Sequence, residues 1–435
     1  MVAEWVRRVM RWRQVYGRAA MQHSAVWRLF FRSKRTVALA HIVHLIEFQM
    51  SFLLFIALAG YLLASRVNQS AVIGEILVGL LVGPSVLGII TYTDFVSSIA
   101  HLGAVVLLFV VGLEFRLEDI AKPRYLVIAS CGVVVPWVLG YLTANLFGFS
   151  FGGSVFIGTA MTATSIAITA NVLREMGKLQ SPAARAIIGA AVIDDVLSLL
   201  VLAVGNGIVA GDIAVLSLLM VLAKAGAFLA VGGVAGHFGL RRLLGLIDSA
   251  KFTRRYPEVT FIFATMLAFL YGMAAELMGL SAIVGAFIAG ASLAGVTLRN
   301  GRDLYKGSES LMIIFSSIFF VSLGVLANVR SIDGRMIVFI PALTAVAFAS
   351  KVIGCGGAAL GYRIPLRESA IIGFGMAPRG EVAMIIALIG LDRGLIRQDI
   401  YVSIILMSLL TTIITPILLR DWLFRRGHVS GGLRT

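Results

Sequence analysis

Long apolar runs separated by short polar stretches set the pattern of this chain. Thirteen runs approach the length of a helix crossing a bilayer: about 45–65, 71–90, 97–114, 124–146, 151–172, 184–205, 213–236, 258–275, 280–297, 308–328, 336–361, 368–391 and 399–423. A bilayer core takes about 20 apolar residues as a helix, so the pattern predicts an all-α polytopic membrane protein. The sixth run is unusual: the apolar stretch from about Ile187 to Val204 carries two adjacent carboxylates near its middle, Asp194 and Asp195.

Composition agrees with the pattern. Of 435 residues, 59% are hydrophobic and 14% charged, with mean hydropathy +0.96. A soluble protein of this balance would expose large apolar patches and aggregate. Cys131 and Cys355, both in apolar runs, make no disulfide framework or metal cluster and read as small core fillers. A net charge of +15 would suggest nucleic acid in a soluble chain; here its distribution argues otherwise, and no nucleic-acid partner is expected.

Counting span edges, the loops after odd-numbered runs and the C-terminal tail hold 21 Lys/Arg, and the loops after even-numbered runs hold four. The positive-inside rule makes the odd side cytoplasmic. An odd number of spans then places the C-terminus inside and the N-terminus outside. Residues 1–36 oppose this with nine Lys/Arg and one Glu, interleaved with Trp5, Trp12, Trp27 and Phe30. Such a segment suits an anionic lipid surface, and it lacks the features of a signal peptide. An extra re-entrant or interfacial piece near Thr36–Glu47, a misassigned start, or a tail outvoted by the loops would each reconcile the two. The expected organisation is a basic N-terminal extension (1–43), a transmembrane domain (44–424) and a cytoplasmic tail (425–435).

The chain repeats itself. Ser70-Ala-Val-Ile-Gly-Glu-Ile-Leu-Val-Gly79 aligns with Ser281-Ala-Ile-Val-Gly-Ala-Phe-Ile-Ala-Gly290, and Met161-Thr-Ala-Thr-Ser165 with Met376-Ala-Pro-Arg-Gly380, at offsets of 211 and 215. Runs 1–6 and 8–13 therefore read as two six-helix copies (about 44–205 and 258–424) joined by run 7 (about 213–236). Seven spans separate equivalents, so the copies are inverted, an architecture of secondary transporters with binding at the midplane.

One buried carboxylate already costs about 2.5–3.5 kcal/mol on insertion scales. Neighbouring helix positions diverge by about 100°, so one aspartate can face a cavity while the other faces a helix. Static ion pairing is the bland alternative to a proton and cation site. Run 5 holds Thr162, Thr164, Ser165 and Thr169. Run 12 holds Gly373, Gly375, Pro378 and Gly380 around Arg379 and Glu381. Proline removes an N–H and glycine lets the backbone unwind, so run 12 should be broken, with run 5 as its matching partner. Half-helix termini and bare carbonyls at the midplane suit a cation. Hydroxyls in run 5 alone would equally suit helix packing. Lys351 lies far from either end of run 11; it either snorkels or partners a buried carboxylate. Lys224 in run 7 has no motif around it. Glu75, Glu114 and Glu276, in or near span ends, read as interfacial or packing groups, and the six histidines fall in tails or at span edges without metal spacing.

Taken together, Gly74-Glu-Ile-Leu-Val-Gly-Leu-Leu-Val-Gly-Pro84, Thr162-Ala-Thr-Ser165, Asp194-Asp195, Phe319-Phe-Val-Ser-Leu-Gly324, Lys351 and Pro378-Arg-Gly-Glu381 resemble the second cation:proton antiporter family, in its sodium/proton branch with paired aspartates. The likeness covers about residues 44–424. It implies a thirteen-helix inverted-repeat fold with a mobile core domain and a static dimerisation domain, hence a homodimer. It also implies that Asp195 carries ion and proton, that Asp194 is salt-bridged to Lys351, that runs 5 and 12 cross at their breaks, and that Arg379 and Glu381 tune the charge there. The chain stops at Thr435, where potassium-efflux members continue into a nucleotide-binding domain, and its basic N-terminal extension is unusual for the family.

The expectation is therefore a cell-membrane antiporter, not an enzyme, exchanging protons for Na⁺ or Li⁺, with no cofactor. K⁺/H⁺ exchange or a potassium-efflux-type channel is the alternative. A channel finds no filter-like sequence or sensor domain. An intramembrane aspartyl protease needs carboxylates converging from different helices, and these two diverge from one.

Overall fold

The structure, a computed structural model, describes residues 46–67, 69–115, 122–210, 215–299, 304–327, 334–392, 394 and 396–424. The basic N-terminal extension and the C-terminal tail lie outside the described residues. The chain divides into two units, residues 1–53 and residues 54–435. In the first, Phe48 and Phe52 stack one helical turn apart, with ring centroids separated by 5.6 Å.

All regular structure among the described residues is helical. In chain order it comprises α1 (Ile46–Arg66), α2 (Ala71–Val82), α3 (Asp94–Leu113), α4 (Pro123–Leu146), α5 (Phe151–Thr162), α6 (Ile166–Glu175) and α7 (Pro182–Ala210). Next comes α8 (Val215–Ala227), which continues through π-helical turns into α9 (Arg241–Ser249). The short α10 (Lys251–Arg255), α11 (Glu258–Leu277), α12 (Ala282–Leu293) and α13 (Leu304–Leu326) follow. The last are α14 (Gly334–Lys351), which runs through a π-helical turn at Val352–Gly356 into α15 (Gly357–Gly361), then α16 (Leu366–Gly375), α17 (Glu381–Asp392) and α18 (Gln398–Ile417). Among the described residues, ten helical stretches are long and apolar enough to cross a membrane, and α2 and α12 are shorter apolar helices of 12 residues each.

Local chemistry sets the ends. Thr93 caps α3 by accepting from Val96 N at 3.3 Å, and Ser150 caps α5 by accepting from Gly153 N at 3.2 Å. Pro123 and Pro182 open α4 and α7, where a missing N–H costs nothing.

The helices pack mainly in two sets. In one, α3 lies against α12 and α13, with α2 on α13 and α11 on α12. In the other, α4 contacts α5, α7 and α14, while α17 and α18 pack on each other and on α5 and α14 respectively. The first set is joined nearly backbone to backbone. A methyl group on Gly290 would come 2.2 Å from Phe109 O, and one on Gly324 would come 2.1 Å from Ile76 O. Such contacts tolerate no side chain, and they suit helices that associate by close packing where lipid offers no hydrophobic drive.

Candidate ion site at two crossed helix breaks

Both expected breaks are present. Ala163 (φ −57°, ψ 143°) and Ser165 (φ −87°, ψ 109°) interrupt the fifth run between α5 and α6. Pro378 and Gly380 lie in the gap between α16 and α17. The two gaps touch. Ser165 N donates to Pro378 O at 2.9 Å, Thr164 Oγ1 to Met376 O at 3.3 Å, and Thr169 Oγ1 to Gly375 O at 2.6 Å. A methyl group at Gly380 would meet Ser165 Oγ at 2.6 Å and Ser165 Cβ at 2.7 Å. The freed backbone groups of each segment are thus answered by the other.

Carbonyls at a helix C-terminus lack intrahelical donors and carry partial negative charge. Each half-helix that ends at the crossing meets a buried cation. Lys351 Nζ donates to Thr162 O, the last residue of α5, at 2.9 Å and to Asp194 Oδ1 at 3.0 Å. Both side chains of this ion pair are fully buried. Arg379, also fully buried, folds back onto the end of α16, donating to Ala377 O and to Met376 O at 3.4 Å, and reaches Ala347 O at 3.4 Å. The expected pairing of Asp194 with Lys351 is therefore present, together with a second lysine contact to the broken helix that sequence reasoning did not foresee. Arg379 thus ties the break in run 12 to α14. Glu381 begins α17, and its side chain lies outside the described residues.

Asp195 follows on α7 and is 7% exposed against 0% for Asp194, so the helical turn gives the two carboxylates different surroundings. One turn further, Ser198 pairs with Thr162, their hydroxyls 3.1 Å apart. Gly132 on α4 allows this density. A methyl group there would sit 2.4 Å from Cys355 Sγ, 3.6 Å from Lys351 Nζ and 3.8 Å from Asp194 Oδ1. Thr411 and Thr412 on α18 hold the Arg379 backbone: Arg379 N donates to Thr411 Oγ1 at 3.2 Å, and Thr412 Oγ1 donates to Arg379 O at 3.1 Å. Ser198, Gly132 and these threonines escaped sequence reasoning. The spacing of Ser408, Thr411, Thr412 and Thr415 along one helical face was the available signal.

The remaining candidates scatter. Lys224 is exposed, Glu114 Oε1 accepts from Tyr305 OH at 2.8 Å, and Glu276 lies 3.5 Å from His101. Glu75, expected as an interfacial or packing group, is 3% exposed and lines a large cavity. Both cysteines are free thiols. Among the described residues no three His, Cys, Asp or Glu are placed to hold a metal ion.

Two interrupted helices crossing inside an all-helical, apolar protein, with a buried Asp–Lys pair at the crossing, define a membrane transporter of the secondary class. The chain matches the family described as "Sodium/hydrogen exchanger, transmembrane" over residues 53–425 and belongs to it. It is 34% identical over 376 residues to the Na⁺/H⁺-K⁺ antiporter GerN of Bacillus cereus, covering 86% of this chain and 95% of that one. It is 31% identical over 398 residues to the high-affinity Na⁺/H⁺ antiporter NhaS3 of a Synechocystis strain, covering 82% and 85%. Its fold resembles that of the sodium proton antiporter MjNhaP1 from Methanocaldococcus jannaschii, with TM-score 0.68 and 16% identity over 90% of this chain and all of that one.

Proposed function

We propose that the protein is an antiporter in which protons and Na⁺ or Li⁺ compete for the carboxylates of Asp195 and Asp194 under alternating access. The observation that carries this is Lys351 Nζ held between Asp194 Oδ1 and Thr162 O, beside a second carboxylate on the same helix. A proton or a metal ion can each neutralise a carboxylate, and a bare charge is costly to carry through an apolar barrier. Asp195, the more accessible of the two, takes the cargo, and Thr164, Ser165 and the carbonyls of the crossing belong to the same site. Asp194 is the fixed partner of Lys351. Arg379 offsets the carbonyl end of α16, and Glu381 adds charge at the start of α17.

Na⁺ takes the place of the proton on Asp195, and its positive charge weakens the hold of Asp194 on Lys351, which then releases the second proton. Two protons then leave per Na⁺, and exchange is electrogenic. K⁺ is a second cargo reading, favoured by likeness to a relative whose name includes K⁺.

The wider architecture belongs to the same proposal. It comprises thirteen spans in two inverted repeats, one packing set moving against the other, a homodimer, the C-terminus in the cytoplasm and the N-terminus outside. Anionic lipid engages the basic N-terminal segment. The test is pH-jump dye quenching in proteoliposomes, with each cation added in turn. Wild type should move protons on Na⁺ or Li⁺ addition. Asp195→Asn keeps the shape but removes the titratable group, and should fall to the rate of empty liposomes while still inserting. Wild-type rates in that variant would refute the assignment.

A further inference from the structure

A cavity of about 1240 Å³ opens beside α2, α6 and α13, away from the crossed breaks. Its lining includes Gln69, Glu75, Asn171, Glu175 and Phe320, and neither Asp194 nor Asp195 reaches it. Its rim residues Gln69, Lys178 and Asp421 come from the loops after runs 1 and 5 and the end of run 13, the side rich in Lys and Arg, which is cytoplasmic by the positive-inside rule. Asn171 and Val172, also in its wall, belong to α6, the half-helix that starts at the crossing. The cavity therefore lies at the far end of the half-helix that leaves the crossing on that side.

The carboxylates around it differ in how they are answered. Glu175 Oε2 accepts from Ser70 Oγ at 2.6 Å, and its Oε1 accepts from Asn171 Nδ2 at 3.1 Å. Glu309 pairs with Arg174 at 3.5 Å, and Asp421 Oδ2 accepts from Gln69 Nε2 at 3.0 Å. Glu75 lies one turn inside α2, with the Ser317 hydroxyl beside it, and among the described residues no cation pairs with it. The aligned position in the second half is Ala286, fully buried against apolar neighbours. The carboxylate thus occurs in one half only, although residues of both halves line the cavity.

We infer that Glu75 is a cation-gathering carboxylate on the cytoplasmic approach, against which a monovalent cation rests on its way between the cavity and Asp195. The inference rests on the antiport reading. Negative charge in a cleft with low-dielectric walls concentrates counter-ions locally, by tenfold or more. Because Glu75 belongs to one approach, removing its charge alters the exchanger from one face only. At the central site, every change would be felt from both.

The test compares everted with right-side-out membrane vesicles, using NaCl as the probe and following Na⁺-driven proton movement. In Glu75→Gln the apparent KM for Na⁺ at the cytoplasmic face should rise on the order of tenfold. The KM at the outer face and the maximal rate should stay at wild-type values, and Glu75→Asp should recover most of the affinity. If Glu75→Gln fails to insert, Glu75→Cys in a chain lacking Cys131 and Cys355 supplies the comparison. A sulfonatoethyl adduct restores the negative charge and should restore KM, and a neutral methyl adduct should not. Equal shifts at both faces, a shift at the outer face alone, or no shift would overturn the inference. Failure of wild type to exchange at all would instead strike the antiport reading.

Discussion

Lys351 is tied to two groups at once, and that makes its removal informative. With the lysine gone, Asp194 is left as a buried carboxylate without its counter-charge, and Thr162 O loses its donor. Breaking a buried pair from one side costs about 3–5 kcal/mol, whereas replacing both partners by apolar residues is often neutral. Lys351→Gln should therefore lower thermal stability in detergent, and Lys351→Met combined with Asp194→Leu should recover most of it. Transport reads the same residue differently. In proteoliposomes under a valinomycin-set potential, wild-type exchange should follow the potential, and Lys351→Gln should respond less. An equal response in the two would make the lysine a structural clamp with no part in proton movement.

At the scale of elements, the crossing depends on absent side chains as much as on present ones. Gly380 faces Ser165 at a distance that leaves no room for a methyl group. Gly380→Ala should cost about 1–3 kcal/mol by overpacking. Adding Ser165→Gly, which removes both clashing atoms, should return part of that loss in the same melting assay. Much of this region is legible in the sequence. Proline and glycines around Arg379 mark one break, the repeat carries the inference to Thr162–Ser165, and two carboxylates inside an apolar run announce themselves. What the sequence conceals is contact between distant segments. Nothing in the spacing of Lys351 shows that its amine reaches the end of α5, and nothing around Gly132 shows that it abuts Cys355 and the ion pair. Glu75 was hidden for another reason: hydropathy places it near a span end, and only the folded neighbours show it inside α2 facing a cavity.

For the whole molecule, the apolar runs anticipated most of the helix, because run length and polarity dominate over side-chain detail in a bilayer; α9 and α10, in the basic stretch after run 7, lie outside them. Orientation rests on the loop charges and is testable directly. In a chain lacking Cys131 and Cys355, a single cysteine at exposed Arg254 should react only with membrane-permeant reagents in intact cells. One at Tyr92, 40% exposed, should also react with impermeant ones. The reverse pattern would overturn the assignment and place residues 1–45 in the cytoplasm.

The cavity beside Glu75 is large enough for tens of water molecules. If it closes when the site turns to the opposite face, each cycle expels that water on one side. The transport equilibrium then acquires a hydration volume, and solvent activity becomes a thermodynamic variable of the exchanger alongside ion gradients. A solute too large to enter, added on the cavity side alone, would draw the protein toward its closed form with no change in Na⁺ or pH. A cell shrinking in concentrated surroundings would impose that bias on the exchanger directly, through the osmotic pressure of its own cytoplasm.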